Sequence, residues 1–363
     1  MGFQSLRLYQ FRNLQDTTLQ LAGDQIFLIG ENGQGKSNLL EALYLISYGG
    51  SFRTRRDSEL CRDGNDAFAL DGLYTSSAED VQVSLRYQEG KKTISLDGEI
   101  IRDRRDLVSR IPTVIFRHDD MNFVHGSPDM QRWFMDQTLS MYQPTYIDML
   151  RRYKVILRNR NQLIRDNGDP TLLRVYDRQL AEAGLALQEQ REAVMGAFNQ
   201  VFQEEFALIS HLPEPFALRY RPSWRGLTTV EDVVQHLSSR RAQEEALRTT
   251  TSGPHRDRVL FRYGDHDFMQ RGSTGQIRLV SLILRVAQAR FFAEQTHRLP
   301  LLLLDDVLLE LDPARRARFV ARLPRSEQRI FTFLPGEPWQ DYHDKNTIRY
   351  TVDDGRCIGP ESG

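Results

Sequence analysis

The chain has 363 residues, enough for about two domains with cores of their own. Its 40% hydrophobic and 27% charged content is ordinary for a soluble globular protein, and no apolar run approaches the ~20 residues of a membrane-spanning helix, which argues against an integral membrane protein. A formal net charge of −1 excludes a surface that attracts nucleic acid as a whole, so any basic patch is local.

Residues 1–10 alternate polar and apolar side chains and read as a strand, not as a signal peptide. Cys61 and Cys357 are far apart and match no metal-ligand spacing, which points to a reduced, cytoplasmic setting. Strands are expected over residues 6–9 and 25–29, with Phe11-Arg12-Asn13 between them, and again over 67–74, 81–87, 93–96 and 114–116. From about residue 143 the period becomes helical. Tyr146, Leu150, Tyr153, Leu157 and Ile164 form one apolar stripe. After the break Asn167-Gly168-Asp169-Pro170, a second runs through Leu173, Tyr176, Leu180, Ala183, Leu187, Val194 and Val201. This predicts an antiparallel helical pair of ~30 to 55 Å, either packed in a core or projecting as an arm. Strand signals return over 258–263, 301–304 and 329–333.

Gly30-Glu31-Asn32-Gly33-Gln34-Gly35-Lys36-Ser37 matches the phosphate-binding loop in full, after an apolar strand and before a helical run. Its glycines let backbone N–H groups close around phosphates at a helix N-terminus. Lys36 is expected to reach the β- and γ-phosphates of ATP, and the Ser37 hydroxyl to bind Mg²⁺. Residues 301–304 are four leucines followed by Asp305 and Asp306, the pattern of a Walker B strand in the middle of a parallel sheet. Asp305 is expected on Mg²⁺ beside Ser37. Asp306 stands where most ABC ATPases have a water-polarising glutamate, and the shorter side chain suggests slow hydrolysis. Glu310-Leu311-Asp312 follows at the spacing of a D-loop. Gly272-Ser273-Thr274-Gly275-Gln276 before a helical run reads either as helix capping or as an ABC signature, about 30 residues ahead of the Walker B strand.

Lys36 and Asp305 are 269 residues apart, about twice the separation in a transporter subunit, and Thr332 stands where transporters carry a switch histidine. Along nearly its whole length the chain resembles the RecF family. The matching segments are Phe11-Arg12-Asn13, Ser51-Phe52-Arg53-Thr54, Gly126-Ser127-Pro128 with Arg132 and Asp136, Arg160-Asn161, and Gly253-Pro254-His255-Arg256-Asp257. Departures are His118, Leu309 and Arg258, the last where a second aspartate is usual. The resemblance implies an α/β fold: an ABC-type P-loop ATPase head of mixed sheet and helices formed by both chain ends (1–125 and 253–363), with a helical arm inserted over 126–252. It implies that Lys36 and Asp306 are catalytic, and that Arg12, Gly30 to Ser37, Ser273, Gly275, Gln276 and Asp312 contact ATP, with Ser37 and Asp305 on Mg²⁺. Ser273 and Gly275 would reach ATP held by another subunit, so that ATP joins a homodimer. It also implies binding to double-stranded DNA beside a single-stranded gap, the partners RecR and RecO, and a place in DNA repair and the SOS response of the bacterial cytoplasm.

Arg151, Lys154, Arg158 and Arg165 share one helical face within a basic run over 150–165 that also holds Arg152 and Arg160. This is either a solvated face or a row of phosphate contacts to DNA. His255 and Arg256 are either catalytic or, the favoured reading, structural. An ATPase that powers transport or another protein machine, without DNA affinity, is the competing function.

Overall fold

The computed structural model describes residues 1–77, 79–309 and 311–362. They form two compact units, 1–119 with 288–363, and 120–287.

The first unit holds two six-stranded sheets. One is antiparallel, in the spatial order Thr17–Gln20, Gly2–Tyr9, Phe68–Thr75, Asp80–Gln88, Lys91–Leu96, Glu99–Ile101. The other runs Arg356–Ser362, Thr347–Asp353, Gln25–Ile29, Gln328–Phe333, Leu301–Leu304, Thr113–Phe116, and is parallel apart from its first pairing. The helix Lys36–Tyr48 touches strands of both sheets and is buried almost all round. An unbroken apolar sequence such as Leu39, Leu40, Leu43, Leu45 and Ile46 suits that position, because no face of the helix meets water. All four leucines of Leu301–Leu304 are buried, as a strand covered on both faces requires.

In the second unit the two predicted stripes become the helices Pro144–Arg165 and Pro170–Ser210. At 22 and 41 residues they measure about 33 and 62 Å, so the second is longer than its pattern suggested. The Asp169 carboxylate caps the second helix by accepting the Thr171 N–H at 2.7 Å, and Pro170 opens it. Arg258–Tyr263 pairs antiparallel with Phe216–Arg221 inside this unit. The chain therefore returns to the first unit at Gln288, within the helix Thr274–Thr296, and not at Gly253, where the strand signal resumes. A strand pattern shows that a ladder forms and does not show with which partner.

Three buried arginines hold the second unit. Arg160, fully buried, gives its guanidinium to Asp177 (2.8 Å), Glu244 (2.6 Å) and the Thr250 hydroxyl (2.6 Å). Arg191 binds Asp136 and Asp257, each at 2.8 Å, and the Pro254 carbonyl at 2.7 Å. Arg285 meets Asp120 and Gln137. Two of these clusters account for Arg160-Asn161 and for Gly253 to Asp257. Asn161 accepts the Thr250 N–H at 2.8 Å, and Asp257 also accepts the Ser223 N–H at 2.8 Å and the Tyr220 hydroxyl. At Gly253 (φ 128°) an added Cβ would lie 2.7 Å from the Tyr153 hydroxyl.

His255 has a structural place here. One ring nitrogen, Nε2, lies 3.1 Å from the Thr250 carbonyl, which can only accept, so Nε2 carries the proton and Nδ1 accepts the Tyr153 hydroxyl at 2.7 Å. Burial first, then the Arg256 and Arg132 charges, push its pKa down to about 4. The folded state thus favours neutral His255: this stability is complete above about pH 6.5, the unfolded value, and is lost as pH falls toward 4, by about 3 kcal/mol in all. Urea melts at pH 7.5, 6 and 5 should show that decline, and His255→Gln should flatten it. An equally steep decline in the variant would remove His255 as its cause.

Candidate nucleotide-binding site

The strand Gln25–Ile29 delivers the chain into the loop Gly30 to Ser37, and the helix Lys36–Tyr48 leaves it. Gly33 (φ 80°) and Gly35 (φ 114°) are in the left-handed region. A Cβ on Gly30 would lie 2.2 Å from the Val352 carbonyl oxygen, and one on Gly35 2.9 Å from Leu14. The loop therefore passes where only glycine fits, and its backbone faces a cleft of about 210 Å³ lined by Asn32, Lys36, Ser37, Asn38, Arg53 and Asp306 among others.

Lys36 is 3% exposed, and its ammonium donates to the carbonyls of Gly30 (2.7 Å) and Glu31 (3.0 Å). No carboxylate pairs with it among the described residues. A buried, unneutralised ammonium at the mouth of a glycine cradle is a site for an anion.

Sheet order explains the rest. Gln328–Phe333 lies between the loop strand and Leu301–Leu304, so both carboxylates at the end of the latter face the loop. The Ser37 hydroxyl donates to Asp305 Oδ1 at 2.6 Å. Burial pushes the Asp305 carboxyl above the usual range, with the Ser37 hydrogen bond opposing and Asp306 adding to the rise. The intervening strand supplies Thr332. Its hydroxyl accepts the Asp306 N–H and donates to Asp306 Oδ1, both at 2.7 Å, and holds Asp306 at φ 52°. Among the described residues no group of three His, Cys, Asp or Glu side chains could hold a metal by itself. A Ser–Asp pair suits Mg²⁺, which keeps waters and takes other oxygens from phosphate.

Arg12 is tied to the helix that leaves the loop. Its Nε and Nη2 each donate to the buried Glu41 at 3.0 Å, and Nη1 to the Glu59 carbonyl at 2.7 Å. Glu41 also accepts the Ser51 hydroxyl at 2.5 Å, and Arg53 donates to Asn38 at 2.6 Å. Sequence reasoning assigned Glu41 and Arg53 no role, although Arg53 lines the cleft. A glutamate inside an apolar helix was the one available signal for Glu41. Gln34 accepts the Asp354 N–H at 2.6 Å and braces the loop against the last hairpin. Glu31 and Asn32 are exposed.

In the second unit Ser273 and Gln276 cap each other reciprocally: the Gln276 side chain accepts the Ser273 N–H (3.0 Å), and the Ser273 hydroxyl accepts the Gln276 N–H (3.3 Å). Ser273, Thr274 and Gly275 are exposed, with nothing within 4 Å of a Cβ built on Gly275. Capping and an open helix N-terminus thus occur together. Asp312 caps the helix Pro313–Ala321, and the Arg315 N–H it accepts lowers its pKa. Glu310 lies outside the described residues.

Arg151, Arg152, Lys154, Arg158 and Arg165 are all exposed on the helix Pro144–Arg165, whereas Arg160 is fully buried. The basic run divides into an outer face and one core member.

An α/β core with this loop, strand and carboxylate pair defines an ABC-type ATPase head of the kind found in SMC proteins. Residues 3–335 match the family described as RecF/RecN/SMC N terminal domain. The DNA replication and repair protein RecF of Treponema pallidum (strain Nichols) is 39% identical over 349 residues, covering 96% of this chain and 98% of that protein. RecF of Crocosphaera subtropica is 32% identical over 92% of this chain and 93% of its own. A solved structure, "recombination mediator protein RecF-ATP in RecFOR pathway", superposes with a TM-score of 0.89 at 26% identity, covering 98% of this chain and 97% of that one. An SMC head bound to the C-winged helix domain of ScpA shares the fold at a TM-score of 0.57 and 16% identity. The chain belongs to the RecF family of DNA replication and repair proteins. This membership does not favour an ATPase of transport, and no helix among the described residues is long and apolar enough to cross a membrane.

Proposed function

We propose that the protein is a cytoplasmic, ATP-gated DNA-binding protein of recombinational repair. It prefers duplex DNA beside a single-stranded gap, acts with RecR and RecO, and serves recombinase loading and the SOS response. The observation that carries this reading is the buried Lys36 ammonium without a carboxylate, in a glycine cradle next to the Ser37–Asp305 pair. The relative solved with ATP supports it. Bound ATP and Mg²⁺ supply a transferable phosphoryl group and its charge neutralisation. Lys36 and the loop N–H groups bind the phosphates, Ser37 and Asp305 hold the metal, and Asp306, fixed by Thr332, orients the attacking water. The exposed face of Arg151, Lys154, Arg158 and Arg165 contacts DNA phosphates.

ATP also joins two copies. The open helix N-terminus at Ser273 and Gly275 donates to phosphates held by a second subunit, which gives an isologous interface with two equivalent sites. A nucleotide that bridges subunits binds the dimer better than the monomer and shifts the equilibrium accordingly. The test is sedimentation with and without ATP and Mg²⁺, together with binding of a gapped duplex. Wild type should dimerise and bind DNA more tightly with ATP, while Ser273→Arg stays monomeric with near-normal ATP affinity. A wild type that remains monomeric at saturating ATP, or an equally dimeric variant, defeats the bridging interface.

A further inference from the structure

A second basic surface lies in the same unit as the helix Pro144–Arg165 and uses none of its residues. The strands Phe216–Arg221 and Arg258–Tyr263 place Arg258 directly opposite Arg221, with Arg219 two residues along on the same exposed face. The other face of this ladder is apolar and buried, carrying Phe216, Leu218, Val259 and Phe261. Like charges facing each other across strands are unfavourable unless something neutralises them. Among the described residues no carboxylate does: Arg219, Arg221, Arg256 and Arg258 form no ion pair.

Arg258 also belongs to a cleft of about 510 Å³, lined further by Arg132, Arg240 and Arg256, with Asp129 the one carboxylate among its described lining residues. Asp129 is already paired with Arg132 and points largely into solvent. Among the described residues the Arg256 side chain reaches only the Thr250 carbonyl, at 3.5 Å, and that of Arg240 only Gln243, at 3.4 Å. The excess positive charge is felt inside, since Arg256 and Arg132 add to the burial that depresses His255.

We propose that this sheet face and cleft together form a second binding site for the phosphate backbone of DNA. The ligand class follows from the lining. Guanidinium forks fit phosphate oxygens in pairs, and threonine and glutamine side chains are ordinary phosphate contacts. Apart from Pro128 and Leu247 the described lining of the cleft is polar or charged, without the cluster of apolar anchors that a protein partner would need for a stable interface. The extension from Arg256 through Arg258 to Arg219 suits a polyanion and exceeds the span of one small phosphate.

This inference rests on the DNA-binding function proposed above, and the test separates the two. A labelled gapped duplex is titrated with the full-length chain, ATP and Mg²⁺ at several salt concentrations. Each phosphate contact contributes about 0.9 to the slope of log affinity against log salt, so Arg221→Gln/Arg258→Gln should flatten it by about two and weaken binding on the order of tenfold. Arg221→Lys/Arg258→Lys keeps both charges and should keep the slope. Arg258→Gln alone, a change at an exposed side chain, should lose about one and guards against misfolding of the double variant. Unchanged slope and affinity in the Gln variants, with DNA binding by wild type intact, overturns the second site and leaves the function standing. No DNA affinity in wild type under any nucleotide condition overturns both.

Discussion

Lys36→Ala is expected to lower ATP affinity about 100-fold, or about 3 kcal/mol, because it removes the one buried cation of the glycine cradle from its phosphates. The nucleotide-free protein should melt no earlier than wild type, since the substitution withdraws an ammonium that two carbonyls and no carboxylate satisfy. These opposite directions identify the residue as a ligand-binding group and not a structural one. Calorimetric titration with ATP measures the first effect and a thermal melt without nucleotide the second. A folded variant with wild-type ATP affinity would end the assignment, and ATP-dependent DNA binding should vanish with the affinity.

Arg160→Ala should destabilise the second unit by about 3 kcal/mol or more, because it leaves Glu244 and Asp177 buried without their shared cation. The lower end of that range applies, since Asp177 keeps Arg241 at 2.5 Å and Glu244 keeps the Thr251 N–H at 2.9 Å. For a domain of this size the loss corresponds to a melting temperature lower by roughly 10 °C. Arg160→Met with Asp177→Leu and Glu244→Leu should recover much of it, because a packed apolar trio needs no counter-charge. If Arg160→Ala melts with wild type, the cluster is not what holds the Thr250 segment to the helix pair. Exposed Arg158→Ala serves as the control and should change stability by less than about 0.5 kcal/mol.

The separation between Arg158 and Arg160 shows where one-dimensional reading stops. Both lie in the same acid-free run, and spacing assigned Arg151, Lys154, Arg158 and Arg165 to one face without showing that Arg160 meets two carboxylates from distant segments. Glu41 and Arg53 received no role for the same reason, although Arg53 lies in a segment that resembles the family, as their partners Arg12, Ser51 and Asn38 come together only when the helix Lys36–Tyr48 is enclosed.

By itself the sequence determined whatever depends on short-range geometry. The loop from Gly30 to Ser37 follows from positions that only glycine can occupy, the leucine strand before Asp305 from burial on both faces, and the helix pair from apolar side chains recurring every three or four residues. Tertiary structure decided the pairings. It set Gln328–Phe333 between the loop and the leucine strand, so that Thr332 fixes Asp306, and it paired Arg258–Tyr263 with Phe216–Arg221, which moved the unit boundary to Gln288 and faced Arg258 with Arg221. A strand's residues state that it needs neighbours. Which neighbours it receives depends on chain closure over long separations and on the burial of every face at once, and no local pattern contains that information.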